Sequence, residues 1–394
     1  MKRILKTRKL FFVTFLAAVA IFFLLTAFHR DDRNFSQQDN NFTKKIYPGP
    51  THTSSNNPKI ILIYTLEGKP WIKSSEREIY KYLKNCHVQN CVGTYDKSRL
   101  NIADAVVFSG SLPLAAIQAK QKPLYQRWVF YETEAPKKRH HNNPILANLT
   151  ITFSKDSDIV IPYGTYRKRK KHLDLKKNFA ANKKRFSLWL VTNCLPQLRK
   201  SIVYRFSKYM SLDIGGNCIN YWKNIMANKV YCPNKTCIDG YKFYLAFENI
   251  FCKDYISEKY WVNSISHGAI PVVLGGGDYS NPNLAIPGSY IRVQDFKGIQ
   301  KLTEYLKVLD SNDTLYNRYF KWKQRYEYVP TSEEGWPHTS KWICQLCKII
   351  NNNTFPNQVV NINKFWNMET RCKSRDEYTK FLLFKEHFPI KSQK

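Results

Sequence analysis

An α/β protein of two doubly wound, Rossmann-like domains is predicted by three features of the 394-residue sequence. Short apolar runs suit parallel strands buried on both faces, helical patterns lie between them, and one basic stretch divides the runs into two sets. The first set is Lys59–Tyr64, Ala103–Phe108 and Arg127–Tyr131. The second opens at Ser187–Val191 and includes Ile270–Leu274, with helical patterns at Glu258–His267 and Ile299–Leu309. Between Pro162 and Arg185 apolar residues are few and Lys and Arg abound, so the junction is placed there. The expected domains are 58–178 and 179–354, with 355–394 a tail of unassigned role. In such folds the ligand sits at the carboxyl ends of the strands.

Ahead of the domains, Leu10 to Phe28 carries no charge, a length that spans a bilayer core of ~30 Å as one helix. Lys2, Arg3, Lys6, Arg8 and Lys9 precede it and keep residues 1–9 cytoplasmic. The rival, a cleaved signal peptide, has an apolar core of about 7–15 residues ending at small residues. Here the run is longer and ends Leu-Thr-Ala-Phe-His-Arg, so an uncleaved anchor is expected. Residues 29–57, polar and with Pro48 and Pro50, read as a flexible stem.

The remaining chain then lies in a lumen, and two patterns agree. Asn-x-Ser/Thr sequons stand at Asn34, Asn41, Asn148, Asn234, Asn312 and Asn352. The 10 cysteines are an even count, as in oxidising compartments. Cys344-x-x-Cys347 has the spacing of half a zinc site, but no second pair matches it, and disulfides are expected. Lys and Arg outnumber Asp and Glu by 62 to 30, a formal charge of +32. Nucleic acid, the usual partner of such a charge, is not available behind a membrane anchor. An anionic substrate, acidic glycans, a membrane surface or simply a solvated face remain, the runs Arg167–His172 and Lys183–Arg185 carrying much of the excess.

The chemistry concentrates in Tyr241-Lys-Phe-Tyr-Leu-Ala-Phe-Glu-Asn249, Asp254-Tyr-Ile-Ser-Glu-Lys259 and Gly268-Ala-Ile-Pro-Val-Val-Leu-Gly275. The order is strand, loop, helix, strand. Ser257 suits an N-cap, which puts Glu258 and Lys259 in the first turn, a place where free N–H groups and a lysine attract a pyrophosphate. A capped surface helix is the plain alternative. Asn249 and Tyr255 flank the turn and are expected to bond a base or ribose. Upstream, Gln126 to Pro136 contains Glu132 and Glu134; strand alternation would place both on one face, so spacing does not choose between them. Asp156-x-Asp158 is a pattern that binds Mn²⁺ and phosphate in single-domain transferases, and it also arises often by chance.

These segments together resemble the α1,3/4-fucosyltransferases of glycosyltransferase family 10, which use GDP-fucose. The resemblance covers roughly residues 59–350 and is strongest in the second domain. It implies the GT-B arrangement of two Rossmann-like domains behind a Golgi signal anchor. It also implies inverting transfer of fucose from GDP-β-L-fucose to a GlcNAc, in α1,3 linkage, on glycoprotein or glycolipid glycans. Asn249, Tyr255, Glu258 and Lys259 are then donor-binding positions, with Lys259 toward the phosphates and Glu258 near the fucose ring. The Glu-Ala-Pro context makes Glu134 the general base, a carboxylate being needed because a sugar hydroxyl is a poor nucleophile at neutral pH. Leu190-Val-Thr-Asn-Cys194 followed by Arg199 resembles the opening of the donor domain and assigns Arg199 to the donor phosphates. Arg199 and Lys259 would neutralise the departing diphosphate, so no metal is required; a divalent cation such as Mn²⁺ is at most a stimulant. Cys86, Cys91, Cys344 and Cys347 match disulfide positions of the family, local or crossed.

The departures are specific. Phe153-Ser154 stands where the family has Tyr-Arg, Ala135 where it has Ser, and the family's His-His acceptor element is missing after Ala103-Asp-Ala-Val106. The acceptor is therefore left open between antennae, LacdiNAc and the N-glycan core. The alternative readings are an inactive homologue or a cationic glycan-binding protein.

Overall fold

β-branched and aromatic residues buried on both faces assemble into two six-stranded parallel sheets. The protein is seen here in a computed structural model, which describes residues 45–47, 57–65, 76–110, 125–137, 144–195, 197–220, 225, 227–232, 235–330 and 339–373. All of them belong to one unit, Thr43–Lys394. The expected anchor (10–28), Asn34, Asn41 and Asn234 lie outside the described residues. Among the described residues no helix is long and apolar enough to cross a membrane.

A short strand, β1 (Lys45–Tyr47), comes first. The first sheet is built from β2 (Lys59–Thr65), β3 (Cys91–Thr94), β4 (Ala105–Phe108), β5 (Arg127–Glu132), β7 (Leu149–Thr152) and β8 (Ile159–Val160), with β6 (Leu146–Ala147) beside it. Its spatial order is β3-β2-β4-β5-β7-β8, every neighbour parallel. After β9 (Thr165–Lys168) comes the second sheet: β10 (Arg185–Leu190), β11 (Asp213–Gly215), β12 (Asn228–Val230), β13 (Tyr241–Phe247), β14 (Ile270–Leu274) and β15 (Ile291–Arg292). Its order is β12-β11-β10-β13-β14-β15, again all parallel, so strand order reverses between β10 and β13. That reversal point is where a doubly wound sheet takes its ligand.

The chain crosses between the sheets twice, and the two crossings pair with each other: β9 runs antiparallel to β16 (Tyr326–Val329). Arg167 and Arg169 meet Glu327 at 2.6 and 3.0 Å across that ladder. Past β16 the helix Thr339–Ile350 returns to the first sheet. A sequence boundary at 354 groups this helix with the second sheet, yet Trp342, Ile343 and Leu346 are buried in the first sheet's core with Ile61, Val107 and Tyr131. The reason is covalent as well as apolar: Cys344 bonds Cys86 and Cys347 bonds Cys91. The four candidate cysteines are thus crossed, not local.

Two further expectations change. Residues 29–57 are not all stem, because Lys45–Tyr47 pairs antiparallel with β17 (Asn357–Asn361), which also pairs with β6. The tail beyond 355 therefore completes the first half. Asn148 is a sequon in sequence only: it is 4% exposed, and its side-chain nitrogen donates to Asn357 Oδ1 and Gln358 O at 3.1 Å each. A glycan on that nitrogen would displace β17. Asn312 and Asn352 are exposed, each capping the turn that follows it.

Candidate active site

β13 is buried at every residue and stops where the apolar run meets Glu248. The backbone then loops out, passes through Asp254 at φ 61° and re-enters at Ser257. Ser257 caps the helical segment as expected: Glu258–Tyr260 forms one α-turn and Trp261–Ser266 continues with π geometry. Gly276, after β14, makes room for this loop. A Cβ there would fall 2.4 Å from the Phe251 carbonyl carbon, so the turn needs glycine.

Glu248 organises the motif. Its carboxylate is 1% exposed and accepts from Ser257 N and Ser257 Oγ, both at 2.8 Å. Lys259 Nζ lies 3.0 Å from Glu248 Oε2, 3.1 Å from Glu258 Oε1 and 2.9 Å from Ser257 Oγ. Burial raises the Glu248 pKa, with the Lys259 charge opposing it. Burial would also raise that of Glu258, but the charge and hydrogen bond of Lys259 outweigh it and hold the group below its ordinary value. Burial pulls the Lys259 pKa down, and the two carboxylates more than reverse that, so the ammonium stays charged.

Arg199 comes from the helix Gln197–Phe206 after β10 and is 3% exposed. Its guanidinium donates to Asn193 O and, at 3.5 Å, to Phe247 O, so it bridges the ends of β10 and β13 at the reversal point. Its face lies 5.7 Å from the Trp189 ring centre. Arg199 Nε and Asn249 Oδ1 are buried with no hydrogen-bond partner among the described residues. Two orphaned groups at the same strand ends are what a polar ligand would satisfy.

The first sheet contributes Glu134, half-buried, just after β5. The geometry separates the two carboxylates that spacing leaves equivalent. β5 ends at Glu132, so alternation does not carry on, and Glu132 Oε1 accepts from Thr133 N and Glu134 N at 2.9 Å each. Glu132 closes the turn, while Glu134 receives the Tyr255 hydroxyl at 3.3 Å. Tyr255 is 1% exposed and packs edge-on to Tyr163, whose hydroxyl donates to Thr133 O at 2.6 Å. Burial, reinforced by neighbouring carboxylates, keeps both phenols neutral. Tyr255, expected at the base or ribose, is placed here with its hydroxyl against Glu134.

Asp156 and Asp158 do not converge. Asp158 accepts from Thr150 N, Thr150 Oγ1 and Gln358 Nε2, whereas Asp156 pairs with Lys253 and Arg371. Among the described residues no group of three or more His, Cys, Asp or Glu side chains is arranged to hold a metal. Sequence reasoning passes over Glu248, Tyr163 and Arg371. Glu248 had a usable signal, a lone carboxylate closing a buried strand that is apolar but for Lys242; the other two make their contacts with distant parts of the chain.

Two Rossmann-like sheets with carboxylates and cations gathered at facing strand ends define an α/β glycosyltransferase. Comparison with known proteins narrows this. Residues 180–366 match the model described as glycosyltransferase family 10 (fucosyltransferase) C-term, and 56–164 match fucosyltransferase, N-terminal. The chain belongs to the fucosyltransferase family. It is 31% identical over 333 residues to glycoprotein 3-alpha-L-fucosyltransferase A of Drosophila melanogaster, an alignment covering 82% of this chain but 63% of that protein. It is 30% identical over 289 residues to 4-galactosyl-N-acetylglucosaminide 3-alpha-L-fucosyltransferase 9 of Mus musculus, covering 71% and 76%. A crystal structure of an alpha1,3-fucosyltransferase with GDP-fucose aligns over 78% of this chain and 95% of that one, at 18% identity and TM-score 0.49.

Proposed function

We propose that this protein transfers L-fucose from GDP-β-L-fucose to a GlcNAc of glycoprotein or glycolipid glycans, in α1,3 linkage and with inversion. The observation that carries the reading is the meeting of Glu134, from the first sheet, with Tyr255 of the donor motif in the second. A base in one half facing a phosphate site in the other suits in-line displacement. The acceptor oxygen attacks C1 as Glu134 takes its proton; the bond from C1 to the diphosphate oxygen breaks, and GDP leaves with the electron pair. Glu258, held ionised by Lys259, stands ready for the positive charge that develops on the fucose ring. Arg199 and Lys259 are assigned to the diphosphate, and Asn249 to the nucleoside side. Tyr255 positions Glu134.

No cofactor is required in this scheme, and a divalent cation such as Mn²⁺ is at most a stimulant. The working location is the Golgi lumen, the chain being held as a single-pass type II protein by Leu10–Phe28.

The test uses the full chain in detergent with excess EDTA, labelled GDP-fucose and a panel of N-glycan and glycolipid acceptors. α1,3-fucosylated product is expected, and the acceptor used fixes the specificity. Saturable GDP-fucose binding without transfer to any acceptor would favour the inactive-homologue reading instead.

A further inference from the structure

The chain end touches both walls of the cleft. After β17, Ile362–Phe365 and Met368–Arg371 form two short helical turns. Toward the first sheet, Ile362 N donates to Ile145 O at 2.8 Å and Met368 N to Lys137 O at 3.4 Å, just past Glu134. Trp366 packs edge-on against Phe130 and Phe153, and Phe153 lies 4.8 Å from the Tyr255 ring. Toward the second sheet, Lys253 N donates to Arg371 O at 2.8 Å and Lys373 N to Phe251 O at 2.9 Å, and Cys372 is bonded to Cys252. Backbone, disulfide and aromatic packing all end within a few residues of Tyr255.

Arg371 is at the centre of this strap. It is 3% exposed, with its guanidinium 4.4 Å from the centre of the Phe365 ring and 5.3 Å from that of Trp366. Nη1 donates to Ser154 Oγ at 2.8 Å and lies 3.3 Å from Asp156 Oδ2. Ser154 Oγ donates onward to Asp254 Oδ2 at 3.1 Å, which also accepts from Lys155 N at 3.2 Å. Asp254, like Lys235, is a non-glycine residue at positive φ, here 61°, a conformation that costs about 1–3 kcal/mol unless its surroundings over-determine it. Tyr255, with its hydroxyl on Glu134, is the next residue.

We propose that Arg371 is a positioning residue for the transfer reaction: through Ser154 it holds Asp254 in its left-handed conformation and so fixes Tyr255 against Glu134. This rests on the function proposed above and adds to it a part of the chain beyond residue 366, where the family match ends. The electrostatics require the cation. Asp254 is 8% exposed and Asp156 lies close by, so removing Arg371 leaves two nearby carboxylates with Lys253 as the cation paired to Asp156. The loop relaxes, Tyr255 shifts, and Glu134 loses its place.

The test is Arg371→Met in the full chain, read by steady-state kinetics and by hydrogen exchange. The expected result is a ~10–100-fold lower kcat with donor KM within about threefold, since a shift of ~1 Å at the reacting groups costs that much. Exchange should rise in 251–257 and 153–157 while β13 and β5 keep their protection. Unchanged kcat below the melting temperature would overturn the proposal, as would loss of protection spread evenly over both sheets, which marks a purely structural role. If Arg371→Met does not fold, Ser154→Ala removes only the relaying hydroxyl and should raise exchange in the same two segments; no change there would also overturn it. The exchange readout does not depend on turnover. If the wild type transfers no fucose, the functional reading fails while the positioning role is still decided.

Discussion

Lys259 sits between Glu248 and Glu258, so its charge is already balanced before any diphosphate arrives. With Arg199 the four groups sum to zero, and under the proposed assignment a donor diphosphate must compete with Glu248 for the ammonium. Lys259→Ala should weaken GDP and GDP-fucose alike by about tenfold or more, measured by titration calorimetry, because the lost contact is to phosphate. It should also destabilise the fold by about 3–5 kcal/mol, because Glu248, with no side-chain exposure, is left as an unpaired buried charge. Adding Glu248→Gln should return most of that stability but not the binding. Equal GDP affinity in Lys259→Ala would remove the lysine from the donor site. At this scale the sequence was legible wherever a role depends on local order, as with Ser257 capping Glu258 and Lys259. It was silent on Glu132 against Glu134, because that choice depends on where β5 stops and which backbone N–H groups the side chain reaches. It also gave no sign of the burial of Tyr255, which Phe153 and Tyr163 create from the other half.

The elements with continuous apolar runs were read nearly to their ends. Ile270–Leu274 is observed over the same residues, and Lys59–Tyr64 extends by one residue to Thr65. Helix Ile299–Leu309 extends to Ser311, whereas Glu258–His267 divides into an α-turn and a π-turn. β17 escaped because Asn357–Asn361 has only Val359 and Val360 as apolar residues; its pairing with β1 and β6 is a long-range fact. The helix Thr339–Ile350 was assigned to the wrong neighbour for the same reason, and its disulfides explain what holds it. Cys86–Cys344 closes a loop of 258 residues, and once it exists Cys91–Cys347 closes only the short ring between the two bonds. The entropic effects therefore do not add. Replacing both cysteines of either pair by Ser should cost about 2–3 kcal/mol, the closure of a ring of roughly ten residues. Replacing all four should cost more than twice that in denaturant unfolding, because the long loop is then free as well. Additive losses would show that local packing, not loop closure, accounts for the stabilisation.

Across the whole molecule, the two sheets are joined by the β9–β16 ladder, the returning helix and the strap that ends at Cys372. Two doubly wound domains were legible because each has its own run of buried strands, with a basic junction between them. The traffic between halves was not, since a crossing chain leaves no periodic trace in sequence. The proposed function depends on that traffic: Glu134 and the motif assigned to the donor are on different sheets, and only the assembled cleft brings them together. The direct test is Glu134→Gln, with Glu132→Gln as its neighbour control, in fucosyl transfer and in GDP-fucose binding. The account predicts a kcat lowered by ~10²–10⁴ for Glu134→Gln with donor affinity unchanged, the loss expected for a general base. Wild-type turnover in Glu134→Gln, or an equal loss in Glu132→Gln, would contradict it.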